Sequence, residues 1–93
     1  MQRFLIERAI PSIGSATPDA LSGAAHQSND VLAAMQAEKK NIKWEHSYVA
    51  GDKTFCIYEA ESEDLIKEHA ERSGFTATVV TPVGTMISTK TAK

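Results

Sequence analysis

Four short stretches of the chain are rich in apolar, aromatic and β-branched residues, and two longer stretches with helical spacing lie between them. Such short runs bounded by turn residues are typical of β-strands. Because strand side chains alternate, Phe4, Ile6 and Arg8 are expected on one face of the first strand. The second and third strands flank a turn at Gly51-Asp52 and form a hairpin. Pro82 cannot donate to a strand ladder, so the last strand is expected at a sheet edge. The predicted strands cover residues 3–10, 42–49, 54–60 and 77–83.

Both predicted helices have recognisable ends. Thr17 is suited to cap the first helix and Pro18 to occupy its first position, and this helix is expected to run to about Lys40. Ser62 is expected to cap the second helix and Gly74 to end it. The first helix presents a stripe of mostly small residues, which lets it lie close to a sheet. This stripe comprises Leu21, Ala25, Ser28, Leu32 and Met35.

The order β-α-β-β-α-β is typical of the ferredoxin-like α+β fold, a four-stranded antiparallel sheet with two helices on one face. A single domain is expected over residues 1–93, with an ordered core at about 2–87 and a polar tail at 88–93. The second face of the sheet is also rich in apolar residues, and a chain this short buries only about 60% of its unfolded surface. We therefore expect a homodimer in which two sheets meet as a dimeric α/β barrel.

Composition and charge argue against several classes of partner and location. The net charge of −2 disfavours nucleic acid, because phosphate binding needs a basic surface. No apolar run approaches the roughly 18 residues of a membrane span, and the amino terminus lacks the apolar core of a secretory signal. Cys56 is the single cysteine and cannot form an internal disulfide, which favours a reducing, cytoplasmic setting.

The hairpin holds most of the chemically versatile side chains. Trp44, His46 and Tyr48 alternate along its first strand and are expected to share one face. Trp44 and Tyr48, together with Tyr58 of the second hairpin strand, are candidates to line an apolar ligand pocket. A small-molecule enzyme or carrier would then use His46 as its acid–base group.

The length of the hairpin loop decides which residues lie near His46. With a two- or four-residue loop, Ile57 is opposite His46 and Glu59 shares its face. With a three-residue loop, a bulge brings Cys56 and Tyr58 to that face instead. The even loop is favoured because it places large apolar side chains beside the tryptophan.

Three residues are candidate metal ligands. His46 supplies an imidazole on a strand that should face a cavity, and borderline metals such as nickel favour imidazole completed by carboxylates. Glu7 lies in an apolar run, where a buried carboxylate needs a partner such as a metal or a cationic side chain. Glu59 ends a strand. The alternatives are a hydrogen-bonded histidine, an ion pair for Glu7 and a solvated carboxylate for Glu59.

Other reactive residue types have structural interpretations. Cys56 is expected to behave as a small buried hydrophobe, and His69, on the apolar stripe of the second helix, as a hydrogen-bonded core histidine. His26 and Asp30 lie four residues apart on the first helix but mostly off its apolar stripe, so a solvated face is expected.

A family resemblance is carried by three stretches, FLIERAIP, WEHSYVAGDKTFCIYEAES and IKEHAERSGF. Of these, the string W-x-x-SYV followed by K-T-x-C-x-Y-x-A is the most specific. The sequence resembles a family of small bacterial proteins, some described as nickel-binding or nickel-responsive, up to about Val83. Residues 15–40 carry little of the resemblance. It implies the ferredoxin-like fold, a dimeric α/β barrel and nickel binding, but no reaction.

Two functions are favoured by the sequence over a third, an interaction or structural module without a ligand. The first is a homodimer that binds a divalent metal, nickel, through His46 with Glu7 or Glu59. The alternative is a monooxygenase-like or isomerase-like enzyme, or a carrier, that holds a small molecule in the barrel cavity; it rests on analogy with other proteins of this fold.

Overall fold

The strands and helices follow one another in the predicted order. The structure, a computed structural model, describes residues 1–92, so Lys93 of the predicted tail lies outside the described residues. A short 3-10 helix, Thr89–Thr91, lies within that tail. The main elements are β1 (Gln2–Ala9), α1 (Pro18–Ala37), β2 (Ile42–Ala50), β3 (Lys53–Ala60), α2 (Glu63–Ser73) and β4 (Val79–Val83).

The four strands form one antiparallel sheet in the order β2-β3-β1-β4. Both helices pack on one side of it, because Leu32 and Met35 of α1 and Ile66 of α2 join the same buried cluster as Phe4 and Tyr58. This arrangement confirms the predicted α+β fold of ferredoxin-like type. β4, which contains Pro82, is an edge strand as expected.

The two faces of the sheet differ in burial. The side under the helices, here called the helix face, contains Phe4, Ile6 and Arg8 of β1, each almost fully buried. The other side, here called the open face, contains alternate residues such as Leu5 and Ile57, which are half-buried. The alternation predicted for the first strand is therefore confirmed.

A β-bulge in β2 changes the predicted face of Trp44. The hairpin loop has two residues, and Ile57 pairs with His46, as the even-loop hypothesis required. The ladder then shifts by one residue, so that Trp44 pairs with Tyr58. Glu45 is the extra residue, and it turns Trp44 to the helix face while His46 stays on the open face. The prediction that the two side chains share a face is wrong.

The helix ends are set by local hydrogen bonds. Thr17 Oγ1 accepts a bond from Ala20 N–H at 3.1 Å, which confirms the predicted cap. α1 ends at Ala37 rather than near Lys40, because Lys39 adopts a left-handed conformation with φ of 64°. Gly74 ends α2 with φ of 80°, as predicted. None of the helices within residues 1–92 combines the length and apolarity needed to cross a bilayer.

Candidate functional site

The open face carries the three predicted metal ligands among apolar side chains. Strand pairing places residues from all four strands side by side in two neighbouring rows. One row is mostly apolar and contains a carboxylate, and the next contains the imidazole. The first row is Tyr48, Phe55, Glu7 and Val79, and the second is His46, Ile57, Leu5 and Thr81.

His46 lies on the exposed part of this face, on edge strand β2. Its ring meets the Tyr48 ring edge-on, with 5.4 Å between the ring centres. Tyr48 is itself 64% exposed, so this pair is open to a ligand or to a second protein surface. The other two histidines lie elsewhere: His69 is buried and His26 is on the outer side of α1.

The carboxylates of the open face already have cationic partners within the chain. Glu7 Oε1 lies 3.6 Å from Lys53 Nζ, which confirms the ion pair expected for this residue. Arg3 Nη2 lies 3.4 Å from Glu59 Oε1 and 2.8 Å from Glu45 Oε1. The hydrogen bond from Arg3 holds the pKa of the Glu45 carboxyl below its usual range. Glu7 and Glu59 would have to leave these partners, at least in part, to bind a metal.

His46, Glu7 and Glu59 share a face but do not form a metal site within one chain. No group of three or more His, Cys, Asp or Glu side chains in residues 1–92 is arranged to hold an ion. Since borderline metals favour several such ligands, a single chain supplies only part of a coordination sphere.

The predicted pocket residues lie on opposite sides of the sheet. Trp44 and Tyr58 line a cavity of about 260 Å³ between the helix face and α1. Their rings stack with centres 6.2 Å apart. Tyr48, in contrast, is on the open face, because the bulge separates it from Trp44. The three therefore do not line one pocket within a chain.

Arg8 also lines this cavity, and the sequence analysis did not identify it as a functional residue. Only 3% of it is exposed. Its Nη1 donates to the carbonyl oxygens of Phe75 and Thr76, both at 3.2 Å. A signal was present in the sequence, since alternation placed this arginine on the same face as two apolar core residues.

A hydrogen-bonded histidine lies behind the cavity wall. His69, 1% exposed, places Nε2 3.2 Å from Ser28 Oγ, and the same hydroxyl is 3.3 Å from Tyr58 Oη. Burial lowers the pKa of His69 to about 4, so the imidazole is neutral at pH 7. Burial also raises the pKa of the Tyr58 phenol. The expected core histidine is confirmed, and the hydroxyls of Ser28 and Tyr58 belong to the cavity lining.

The remaining reactive residues have the expected structural positions. Cys56 is buried on the helix face, with Sγ 3.5 Å from Thr54 Oγ1. It therefore does not share a face with His46. His26 and Asp30 are both exposed on α1, as predicted for a solvated face.

Comparison with known proteins agrees with this fold. The chain is similar to the crystal structure of SCO4226 from Streptomyces coelicolor A3(2), with a TM-score of 0.71 and 23% identity. The match covers 91% of this chain and 99% of that one. The comparison with curated proteins finds no match. The model of the family described as nickel responsive protein SCO4226-like matches residues 4–83. Because that match spans most of the sequence, the chain belongs to the SCO4226-like family of nickel responsive proteins.

Proposed function

We propose that this protein is a homodimer, joined through its open faces, that binds a divalent metal, nickel. The observation that carries the proposal is the position of His46. It is an exposed imidazole on a sheet face that also holds two carboxylates, in a member of a nickel responsive family. Imidazole and carboxylate together are a suitable ligand set for nickel.

The second copy is needed because one chain offers too few ligands. Within residues 1–92, the two candidate carboxylates of the open face are held by Lys53 and Arg3, and no three-ligand group forms. A partner that meets the open face would bring a second imidazole and a second pair of carboxylates to it. Metal binding and dimerisation are therefore coupled in this proposal.

The open face has the chemical character of a surface that associates with itself. Leu5, Phe55 and Ile57 form its half-buried apolar centre. Charged side chains, including Arg3 and Glu59, border that centre. A buried apolar core with a polar rim is typical of stable protein interfaces. Two such faces packed together would form the dimeric α/β barrel expected from the sequence.

The single cysteine is consistent with a reducing compartment, and we propose a cytoplasmic location. Cys56 is buried on the helix face. It is therefore not one of the ligands that we assign to the open face.

Calorimetric titration of metal-free protein with nickel tests the ligand assignment. We expect His46→Ala to weaken binding at least about tenfold, equivalent to about 1.4 kcal/mol. Glu7→Gln and Glu59→Gln identify which carboxylate contributes. His26→Ala is the matched control, because this exposed histidine lies on α1, away from the open face.

Two results would count against the assignment. One is equal affinity for nickel in the wild type and His46→Ala. The other is a wild type that shows no binding below about 1 mM, which corresponds to only about −4 kcal/mol.

A further inference from the structure

We propose that the cavity between α1 and the helix face binds a small organic acid, whose carboxylate pairs with Arg8. This site lies within one chain and on the opposite side of the sheet from the proposed metal site. It therefore neither requires nickel nor depends on the dimer.

Arg8 is a buried cation with an unused donor. Its Nη1 donates to two backbone carbonyls, but its Nη2 has no hydrogen-bond partner in the part of the chain that the structure describes. The guanidinium carbon lies 5.8 Å from the centre of the Tyr58 ring, which gives a cation–π contact but no compensating charge. A buried donor without an acceptor is destabilising. The Nη2 atom is almost fully buried, so it would reach an acceptor in the cavity after a rotation of the guanidinium.

No acidic side chain neutralises this guanidinium. The ion pairs formed by residues 1–92 involve Arg3 and Arg72 but not Arg8. The described residues that line the cavity include no aspartate or glutamate. Since burial of an isolated charge is costly, the cavity is electrostatically suited to an anion.

The rest of the lining selects an organic anion over an inorganic one. It is apolar apart from a few hydroxyl groups and Arg8, whereas phosphate needs polar donors on all sides. The apolar wall is formed largely by Ile10, Ile13, Leu21, Trp44, Val49 and Phe75. Its volume of about 260 Å³ exceeds the roughly 150 Å³ of an apolar cavity that holds benzene. A single-ring carboxylic acid fits these properties.

Small residues of α1 leave this space. Ala24, Ala25 and Ser28 face the cavity, so Leu21 is the one large side chain that α1 contributes to its lining. The Ser28 hydroxyl lies within hydrogen-bond distance of Tyr58 Oη and of the neutral His69. When His69 Nε2–H donates to Ser28 Oγ and the Ser28 hydroxyl donates to Tyr58 Oη, the phenol keeps its own proton to donate to a ligand oxygen.

Trp44 provides a direct reporter of occupancy. It is the only tryptophan of the chain and it lines the cavity. Its indole N–H donates to Ser47 Oγ at 2.9 Å, so the ring is held in place. A ligand that packs against this ring should change its fluorescence.

The experiment is a fluorescence titration with phenylacetate and with 2-phenylethanol, its neutral analogue, in the presence of a metal chelator. We expect the acid to bind at least about tenfold more tightly than the alcohol, because only the acid forms a charge-assisted bond with Arg8. Arg8→Met should reduce this preference to less than about twofold while weak binding of both compounds persists. Arg72→Met is the matched control, since this arginine is on α2 and pairs with Glu38 and Glu68.

The wild type alone can overturn the proposal, even where Arg8→Met does not fold. Equal affinity for the acid and the alcohol would show that Arg8 does not pair with the ligand carboxylate. Absence of any fluorescence change with either compound up to about 10 mM, a free energy of less than about 3 kcal/mol, would remove the site. Inorganic phosphate that competes as strongly as phenylacetate would contradict the organic ligand. A nickel titration is unaffected by these outcomes, so failure here leaves the metal proposal standing.

Discussion

Lys39 holds a backbone conformation that lysine rarely adopts. With a φ of 64°, the N–H of Lys39 donates to the carbonyl oxygen of Gln36 at 3.0 Å. The N–H of Lys40 donates to the carbonyl oxygen of Met35, also at 3.0 Å. This pattern is the Schellman motif, in which glycine usually occupies the left-handed position. Lysine is strained there because its Cβ approaches the backbone.

Lys39→Gly is therefore expected to stabilise the protein. Relief of the strain outweighs the extra flexibility of glycine in the unfolded chain, so the free energy of unfolding should rise by about 0.5–1 kcal/mol. Urea unfolding measures it. Gly74→Ala is the matched variant at the end of α2, and it should have the opposite effect. Its free energy of unfolding should fall by about 1 kcal/mol. The added Cβ would meet only Gln27 Nε2 at 3.8 Å, so φ of 80° is the cause. If both substitutions changed the free energy of unfolding in the same direction, this explanation would be contradicted.

His69 makes stability depend on pH. Burial lowers its pKa to about 4, below the value of about 6.5 in an unfolded chain. The unfolded state therefore binds a proton first as the pH falls. The contribution of His69 to stability is complete above about pH 6.5 and is lost progressively towards pH 4. Arg8, the nearest cation, acts in the same direction.

We expect the wild type to lose about 1–2 kcal/mol of unfolding free energy between pH 7 and pH 5 through this group. His69→Gln should remove that loss, although its stability at pH 7 is lower. His26→Gln, on the exposed side of α1, is the control and should retain it. Chemical unfolding at several pH values tests this. If the unfolding free energy of His69→Gln depended on pH in the same way as that of the wild type, a buried neutral imidazole would be contradicted.

At the scale of elements, the sequence predicts types and order better than register. The density of apolar, aromatic and β-branched residues identified all four strands. It could not show that Glu45 is an extra residue in β2, since a bulge leaves the local pattern of residue types unchanged. The consequence is large: the indole of Trp44 lies under the helices instead of beside His46. Likewise, the end of α1 was misjudged because lysine gives no signal for a left-handed position.

The loop after β1 docks against the hairpin turn next to the cavity. Gly14 N–H donates to the carbonyl oxygen of Gly51 at 2.7 Å, and Ile10 N–H donates to the carbonyl oxygen of Asp52 at 2.9 Å. A Cβ on Gly14 would lie only 2.9 Å from Gly51 O, so the two backbones approach too closely for a side chain. This contact joins β1 to the hairpin at one end of the sheet.

Gly14→Ala is expected to separate the loop from the turn and to lower the free energy of unfolding by about 1–3 kcal/mol. The measurement is urea unfolding, with Trp44 emission as the probe. Gly23→Ala is the control, because a Cβ there meets nothing within 4 Å. In the middle of α1 this change should instead stabilise by about 0.5–1 kcal/mol. A Gly14→Ala protein as stable as the wild type would show that the loop does not depend on this contact.

The open face explains why the whole molecule should be a dimer. Its apolar centre is only half-buried, so a single chain leaves apolar surface in water. Ile57→Lys places a charge at that centre and should give a folded monomer by light scattering at micromolar concentration. Ala33→Lys, at an exposed position of α1, should remain a dimer. A wild type that is already monomeric at this concentration would contradict the proposed assembly.

The candidate sites could be predicted from the sequence only in part. The even loop correctly placed His46 and Glu59 on one face, but the sequence did not relate Glu7 to that face. Their separation into ion pairs with Lys53 and Arg3 depends on neighbours distant in sequence, which alternation does not specify. The cavity at Arg8 was missed for the same reason, because it forms where small residues of α1 meet the sheet.

Mass spectrometry of the intact assembly measures whether nickel binding needs two chains, as we propose. The measurement compares metal-free wild type and Ile57→Lys after addition of nickel. We expect nickel on the wild-type dimer and none on the Ile57→Lys monomer at the same free nickel concentration, because each monomer has an incomplete ligand set. Nickel bound equally by the monomer would contradict the claim and place the metal site within one chain.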